Sequence, residues 1–187
     1  MSQQELHTDQ LLVLCRQGKQ AAQMEIYNRY YRAMYNTALR IVKDSFEAED
    51  VMQESFLNAF TKLDSFKAEV TFGAWLKRIV INNSIHHYRK QNQNNIPLDD
   101  VMYRVEDKDE VEPDYELTNI KAQKVLQTMN MLKDNYRIAL TLYLIEGYDY
   151  EEIGDIMQVS YANCRTTISR AKESLRQKLQ AEAFEKP

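Results

Sequence analysis

The sequence predicts an all-α protein: two small helical domains joined by an acidic linker. Three observations carry that prediction. The 187 residues hold only four glycines and three prolines, and no alternating apolar and polar run bounded by turn residues offers a strand. On both sides of the chain's centre, apolar residues recur three and four apart, which stacks them on one face of a helix. Between the two sides, Pro97 and Pro113 bracket a stretch without a sustained period and with heavy acidic charge. Residues 96–117 carry two Lys/Arg against nine Asp/Glu, whereas residues 1–95 carry 12 against 10 and residues 118–187 carry 10 against nine. The middle therefore carries −7 against a formal charge of −4 for the whole chain, and both flanks are slightly positive. Composition shifts between about residues 91 and 115, and the division adopted is 1–93, 94–117 and 118–187. Domains of this size bury about 60% of their unfolded surface, which leaves room for stabilisation by a partner.

The elements follow in order. Helical periodicity covers residues 6–17, 20–43, 46–63 and 72–90 before the linker, then 118–131, 134–146, 150–157 and 161–180 after it. In the helix after Ser45, an inward stripe of Ala48, Met52, Ser55, Phe56, Ala59, Phe60 and Leu63 leaves Asp50, Gln53, Glu54 and Leu57 on another face. That ridge reads either as solvated surface or as a docking face for a basic partner, with Leu57 as its apolar anchor. The loop at 64–75 holds Phe66, Phe72 and Trp75. Phe72 and Trp75 either close a core or stack on bases, and closing a core is the commoner role. The next helix sets Arg78, Asn82 and Arg89 on one side. Cations and amides beside a loop suit opened, single-stranded nucleic acid, though the same face also reads as solvated.

The most informative stretch is the last. Asp149 followed three residues on by Glu152 is a capping box, so a helix starts near Tyr150. Ile153, Ile156 and Met157 recur at helical spacing, and Gly154 is expected to leave room for a second helix. Residues 158–160 supply a turn whose Ser160 caps that helix. There Cys164, Ile168, Ala171 and Leu175 form one apolar stripe, and Asn163, Arg165, Thr166, Thr167, Ser169, Arg170 and Lys172 lie off it. Two short helices with a tight turn and a polar, basic second helix form a helix-turn-helix, a DNA-reading device. A solvated helical hairpin shares the pattern.

Composition narrows the alternatives. Two windows concentrate positive charge: Lys77, Arg78, Arg89 and Lys90 without an acid at 76–90, and Arg165, Arg170, Lys172, Arg176 and Lys178 against Glu173 at 158–180. Each is enough to follow phosphates, while the whole chain lacks the basic excess of a free-standing binder, so weak affinity for naked DNA is expected. No run of eighteen apolar residues and no signal-like N-terminus occurs, which points to a cytoplasmic protein without membrane insertion. Cys15 and Cys164 fall on apolar helical faces and read as buried thiols. With three histidines and no ligand spacing, neither a metal site nor another cofactor is expected. No nucleophile–base pair or glycine-rich phosphate loop is visible, which argues against an enzyme.

Together these residues resemble the extracytoplasmic-function group of the sigma-70 family of RNA polymerase sigma factors. The resemblance rests, in order, on Asp9-Gln10-Leu11-Leu12, Glu25-Ile26-Tyr27-Asn28-Arg29-Tyr30, Ala48-Glu49-Asp50-Val51-Met52-Gln53-Glu54-Ser55-Phe56-Leu57, Trp75-Leu76-Lys77-Arg78-Ile79 with Asn82, Tyr150-Glu151-Glu152-Ile153-Gly154, and Arg165 through Arg170-Ala171-Lys172 to Leu175-Arg176. It implies a non-enzymatic specificity subunit whose first domain is sigma region 2 and whose second is sigma region 4. Core polymerase would be met at its β′ clamp helices by Asp50, Gln53, Glu54 and Leu57. The minus-10 element would be recognised and melted by Ser65, Phe66, Lys67, Phe72, Lys77, Arg78, Asn82, Asn83, His86 and Arg89. The minus-35 element would be read by Tyr161, Asn163, Arg165, Thr166, Thr167, Ser169 and Arg170, beside a contact to the polymerase β flap. The linker would thread toward the polymerase active-site channel. An anti-sigma factor is a conceivable further partner, and the free protein is expected to be a monomer.

This chain departs from the family pattern at some positions. A basic residue is usual where Ile81 stands, an acidic one at His86, a Pro-Val-Gly-Thr-Val turn at 160–164 and an arginine at Thr167. Loss of cations at Ile81 and Thr167 is expected to reduce phosphate contacts, each contributing a salt slope of roughly 0.9 on duplex DNA. Tyr161 and Asn163 are expected to shift base preference. A conventional helix-turn-helix regulator, which would usually dimerise, and a sigma mimic that only sequesters an anti-sigma factor are the competing readings.

Overall fold

A computed structural model describes residues 7–94 and 118–184. The acidic linker expected at 94–117 falls, apart from its first residue, outside the described residues. The chain divides into two compact units, Met1–Ile96 and Pro97–Pro187, each taken by itself below.

In the first unit, α1 (Thr8–Arg16), α2 (Gln20–Val42), α3 (Ser45–Thr61) and α4 (Phe72–Asn94) pack around one core. Each helix donates a stripe: Leu11, Leu12 and Cys15 from α1; Ile26, Met34, Ala38 and Ile41 from α2; Ala48, Val51, Met52, Phe56 and Ala59 from α3; Leu76, Val80, Ile81 and Ile85 from α4. The helix ends are locally specified. Lys43 closes α2 in the left-handed region at φ 65°, its N–H donating to the Leu39 carbonyl. Asp44 then caps α3 by accepting from the Glu47 N–H at 2.9 Å. A buried polar tie links α3 and α4, where the Asn83 amide donates to Ser55 Oγ at 2.9 Å and Ser55 donates to the Val51 carbonyl at 2.6 Å.

In the second unit, α8 (Tyr161–Phe184) is the central element, contacted by α5 (Thr118–Asn130), α6 (Asp134–Leu140) and α7 (Tyr150–Met157). Helix α6 continues as a π-helical segment, Thr141–Ile145, which the chain leaves at Gly147, whose φ of +78° lies in the left-handed region. The core gathers Ile138, Leu140 and Leu142 against Ile153, Ile156, Cys164, Ile168 and Ala171. Arg137 is buried there too, its guanidinium donating to Asp134 Oδ1 at 3.1 Å. Cys15 and Cys164 are free, buried thiols, and burial pushes both above the ordinary cysteine range. Among the described residues no helix is long and apolar enough to cross a membrane, and no three His, Cys, Asp or Glu gather as a metal site would require.

Candidate nucleic-acid interface

In the second unit, the capping box forms as the spacing predicts. Asp149 accepts from the Glu152 N–H at 2.8 Å while Glu152 accepts from the Asp149 N–H at 3.0 Å, which starts α7 at Tyr150. Gln158 ends α7 in the left-handed region at φ 53°, and Ser160 Oγ accepts from the Asn163 N–H at 3.3 Å to start α8. Gly154 has a different reason from the one its spacing implied. A β-carbon there would stand 3.1 Å from the Val159 carbonyl oxygen, and the Val159 N–H donates to the Gly154 carbonyl, so the close approach is by the turn's own backbone and not by a second helix.

Helix α8 then splits by face. Cys164, Ile168, Ala171 and Leu175 are buried, whereas Tyr161, Asn163, Arg165, Thr166, Ser169 and Arg170 are exposed. Thr167 is half-buried, off the outward centre. Tyr161, Arg165, Thr166, Ser169 and Arg170 line one shallow surface concavity. Thr166 also donates its hydroxyl to the Ala162 carbonyl at 2.9 Å. Further along the same side of the helix, Glu173 engages Arg176.

In the first unit the candidate residues separate into three groups. Asp50, Gln53, Glu54 and Leu57 are all exposed on α3, Leu57 at 69% of its full surface. Phe46, which the sequence pattern did not single out, is 80% exposed at four residues before Asp50 and extends the same face. On α4, Asn82 and His86 are exposed and Lys77, Arg78 and Arg89 half-buried, so cationic heads on packed stems flank an amide. His87 turns to the other side, its Nε2 3.4 Å from Glu47 Oε2. Asn83 faces the interior through its bond to Ser55.

The loop before α4 corrects two expectations. Ser65 and Lys67 are exposed, but Phe66 and Phe72 are buried at 8% and 4% exposure, which leaves neither a free face for a base. Phe72 packs edge-on to Phe66 at 5.7 Å and to Tyr30 at 5.5 Å, and Trp75 lies 5.3 Å from Phe66. These rings form a nail that pins the loop to α2 and α4, in keeping with the preference of aromatic pairs for edge-to-face contact. Gly73 is part of the fit, since a β-carbon there would stand 3.0 Å from the Tyr30 ring. Arg16 braces the loop from α1 with long hydrogen bonds to the carbonyls of Leu63 (3.5 Å) and Phe66 (3.4 Å) and an ion pair to Asp64 at 3.7 Å. Ile81 is fully buried, so its place in the pattern is a packing position and removes no phosphate contact.

Comparison with known proteins gives the family. Residues 26–94 match Sigma-70 region 2, and residues 122–175 match Sigma-70, region 4. The chain is 32% identical to the RNA polymerase sigma-H factor of Pseudomonas aeruginosa, over 91% of this chain and 93% of that one. The chain belongs to the RNA polymerase sigma-70 family, in its extracytoplasmic-function group. It is 32% identical to the sigma factor SigW of Bacillus subtilis over 88% of this chain and 92% of that one. With the sigma-E factor of Escherichia coli the identity is 31%, covering 92% and 95%. The sigma factor RpoE of Bartonella quintana, solved in complex with the anti-sigma factor NepR, shares the fold at a TM-score of 0.55 and 22% identity, covering 84% of this chain and 96% of that one. CnrH, solved with the cytosolic domain of CnrY, does so at 0.54 and 23%, covering 91% and 96%. As a sigma factor the chain is a non-enzymatic initiation factor, and the helix-turn-helix of α7 and α8 falls within its region 4 match.

Proposed function

We propose that this sigma factor holds core RNA polymerase through the α3 ridge of Asp50, Gln53, Glu54 and Leu57 and grips a promoter at two points. Ser65 and Lys67 of the loop, with Lys77, Arg78, Asn82, His86 and Arg89 of α4, meet the opened minus-10 strand. Phe66, Phe72 and Asn83 hold that loop and helix in place from within. Tyr161, Asn163, Arg165, Thr166, Ser169 and Arg170 of α8 enter the major groove of the minus-35 element, with Thr167 at the edge of that face. The observation that carries this reading is the division of α8: its apolar stripe is consumed by the fold, and the opposite face presents two arginines and the Tyr161 ring among small polar groups.

Charge and energetics agree with the grip. Each contact is a local excess of about four positive charges on a chain of net −4, so each is weak alone. When polymerase holds both units, the second contact becomes intramolecular, and the effective concentration makes two weak contacts one specific grip. The test is transcription in vitro with purified core polymerase on a genomic template library. Promoter-specific transcripts beyond those of core alone are expected, and Arg165→Ala with Arg170→Ala should abolish them while leaving the protein folded. Absence of any such transcript, or tight sequence-specific binding by the free chain at physiological salt, would overturn the proposal.

A further inference from the structure

Three tyrosines from three successive elements converge beside the N-terminus of α8. Tyr143 of the π-helical segment stacks on Tyr150, the first residue of α7, with ring centroids 5.3 Å apart and planes 4° from parallel. Tyr150 in turn receives Tyr161, the first residue of α8, edge-on at 6.2 Å and 80°. The far end closes on the same helix, because Lys172 Nζ of α8 sits 4.0 Å over the Tyr143 ring. Tyr161 and Lys172 are eleven residues apart, roughly 16 Å along a helix. The ladder therefore ties α8 at two separate heights to the elements before it. The neighbouring Tyr150 hydroxyl, with Lys172, lowers the Tyr143 phenol below the ordinary tyrosine range, and the Tyr143 hydroxyl raises that of Tyr150. At the open end, Tyr161 keeps 51% of its surface exposed.

We propose that this ladder makes Tyr161 a fixed aromatic reader of a thymine methyl in the minus-35 element, with Tyr150 as its positioning residue. The proposal rests on α8 being the DNA-contacting helix. N-terminal residues of such a helix reach base edges in the major groove. There thymine alone presents a methyl group, which takes apolar contact. A ring whose inner edge is already packed on another ring loses little side-chain freedom when its outer face meets that methyl, so the contact discriminates and is not spent on ordering the side chain.

The test is transcription by the reconstituted holoenzyme, full chain with core polymerase, on templates with a randomised minus-35 element. Wild type is expected to prefer thymine at one position by roughly fourfold, the discrimination of about one buried methyl. Tyr161→Ala and Tyr150→Ala should both flatten that position and no other, while Tyr150→Phe, which keeps the ring, retains it. Tyr150→Leu replaces Tyr150→Ala should the latter fail to fold by circular dichroism. The ladder is overturned if a folded Tyr150 variant lacking the ring leaves the Tyr161-dependent preference intact. It is also overturned if Tyr161→Ala weakens all templates uniformly, as loss of a phosphate contact would. A wild type without preference at any minus-35 position, or an Arg165→Ala protein with the wild-type profile, would instead sink the DNA-reading role of α8 itself.

Discussion

The aromatic side chains beside the two candidate DNA sites, one in each unit, are placed in opposite ways. In the first, Phe66, Phe72 and Trp75 turn inward with Tyr30 and hold a loop whose exposed groups include Ser65 and Lys67. In the second, the ladder of Tyr143 and Tyr150 ends on a Tyr161 that stays half in solvent. Inward rings make the shape of a candidate site depend on the core. An outward face on a helix that packs by its other side makes the site nearly independent of it. Stability and function should therefore fall together in the first unit and separate in the second.

The largest expected effect tests that coupling. Phe72→Ala removes the ring that touches Tyr30, Phe66 and Trp75, and a buried Phe-to-Ala change costs about 3–5 kcal/mol. Denaturant unfolding followed by the fluorescence of Trp75, the single tryptophan, should show it, with initiation lost in parallel. By contrast, Arg165→Ala with Arg170→Ala, both exposed, should stay within about 0.5 kcal/mol per site of wild-type stability while initiation disappears. Equal stability of the Phe72 and arginine variants would break the comparison.

Within the second unit, the same contrast is expected between Arg137 and the α8 arginines. Arg137 is 1% exposed, and truncation to Ala removes its packing as well as its charge, at about 2–4 kcal/mol. Arg137→Met should recover a large part of the loss, because it restores the buried volume while Asp134, whose side chain is 45% exposed, stays in contact with water. Thermal melts of the two variants decide it: no difference between them would mean that the ionic contact to Asp134 outweighs packing.

Smaller effects should be similar in the two units. Asp44 and Asp149 each cap a helix with one carboxylate-to-N–H bond, at 2.9 and 2.8 Å. Substitution of either by Ala should cost about 1 kcal/mol, because the bond that Glu152 accepts comes from the backbone N–H of residue 149 and survives the change. Thermal melts compare the pair, and a tolerant Asp149→Ala would show that tertiary packing alone starts α7.

What was legible in the sequence were features that a few neighbouring residues decide. Helix periods, the Asp149 box, the Ser160 turn and the stripe from Cys164 to Leu175 all involve partners within one or two turns. Helices α4 and α8 each run four residues beyond the expected ends, to Asn94 and Phe184, since residues 91–94 and 181–184 hold neither a glycine nor a proline to supply a stop. The illegible features join residues far apart. Periodicity ends at a loop, so it could not tell whether Phe66 and Phe72 faced a core or a base. Arg16 meets the Phe66 carbonyl across 50 residues, with no spacing to announce it. Ile81 could not be sided by a charge comparison alone. The π-helical segment has no compositional mark, and the tyrosine ladder depends on it.

The smallest prediction sharpens the comparison at matched backbone positions. Lys43 ends α2 at φ 65° and Gln158 ends α7 at φ 53°, each a non-glycine residue in the left-handed region. A side chain held there costs roughly 1–2 kcal/mol by crowding its β-carbon against the following carbonyl. Glycine relieves that strain but adds freedom to the unfolded chain, so each of Lys43→Gly and Gln158→Gly should stabilise by a net amount of only about 0.5 kcal/mol. Their functional consequences should differ. Lys43 precedes a helix whose orientation is fixed by core contacts along α2 and α4, so its change should leave initiation as it was. Gln158 lies in the turn that sets the start of α8, two residues before Ser160, and its side chain restricts that turn to few conformations. Gln158→Gly should therefore raise the melting temperature slightly and yet lower discrimination at the minus-35 element, measured on the randomised templates. A Gln158→Gly protein with unchanged discrimination would show that the capping bond of Ser160 and the tyrosine contacts set the angle of α8 without help from the turn.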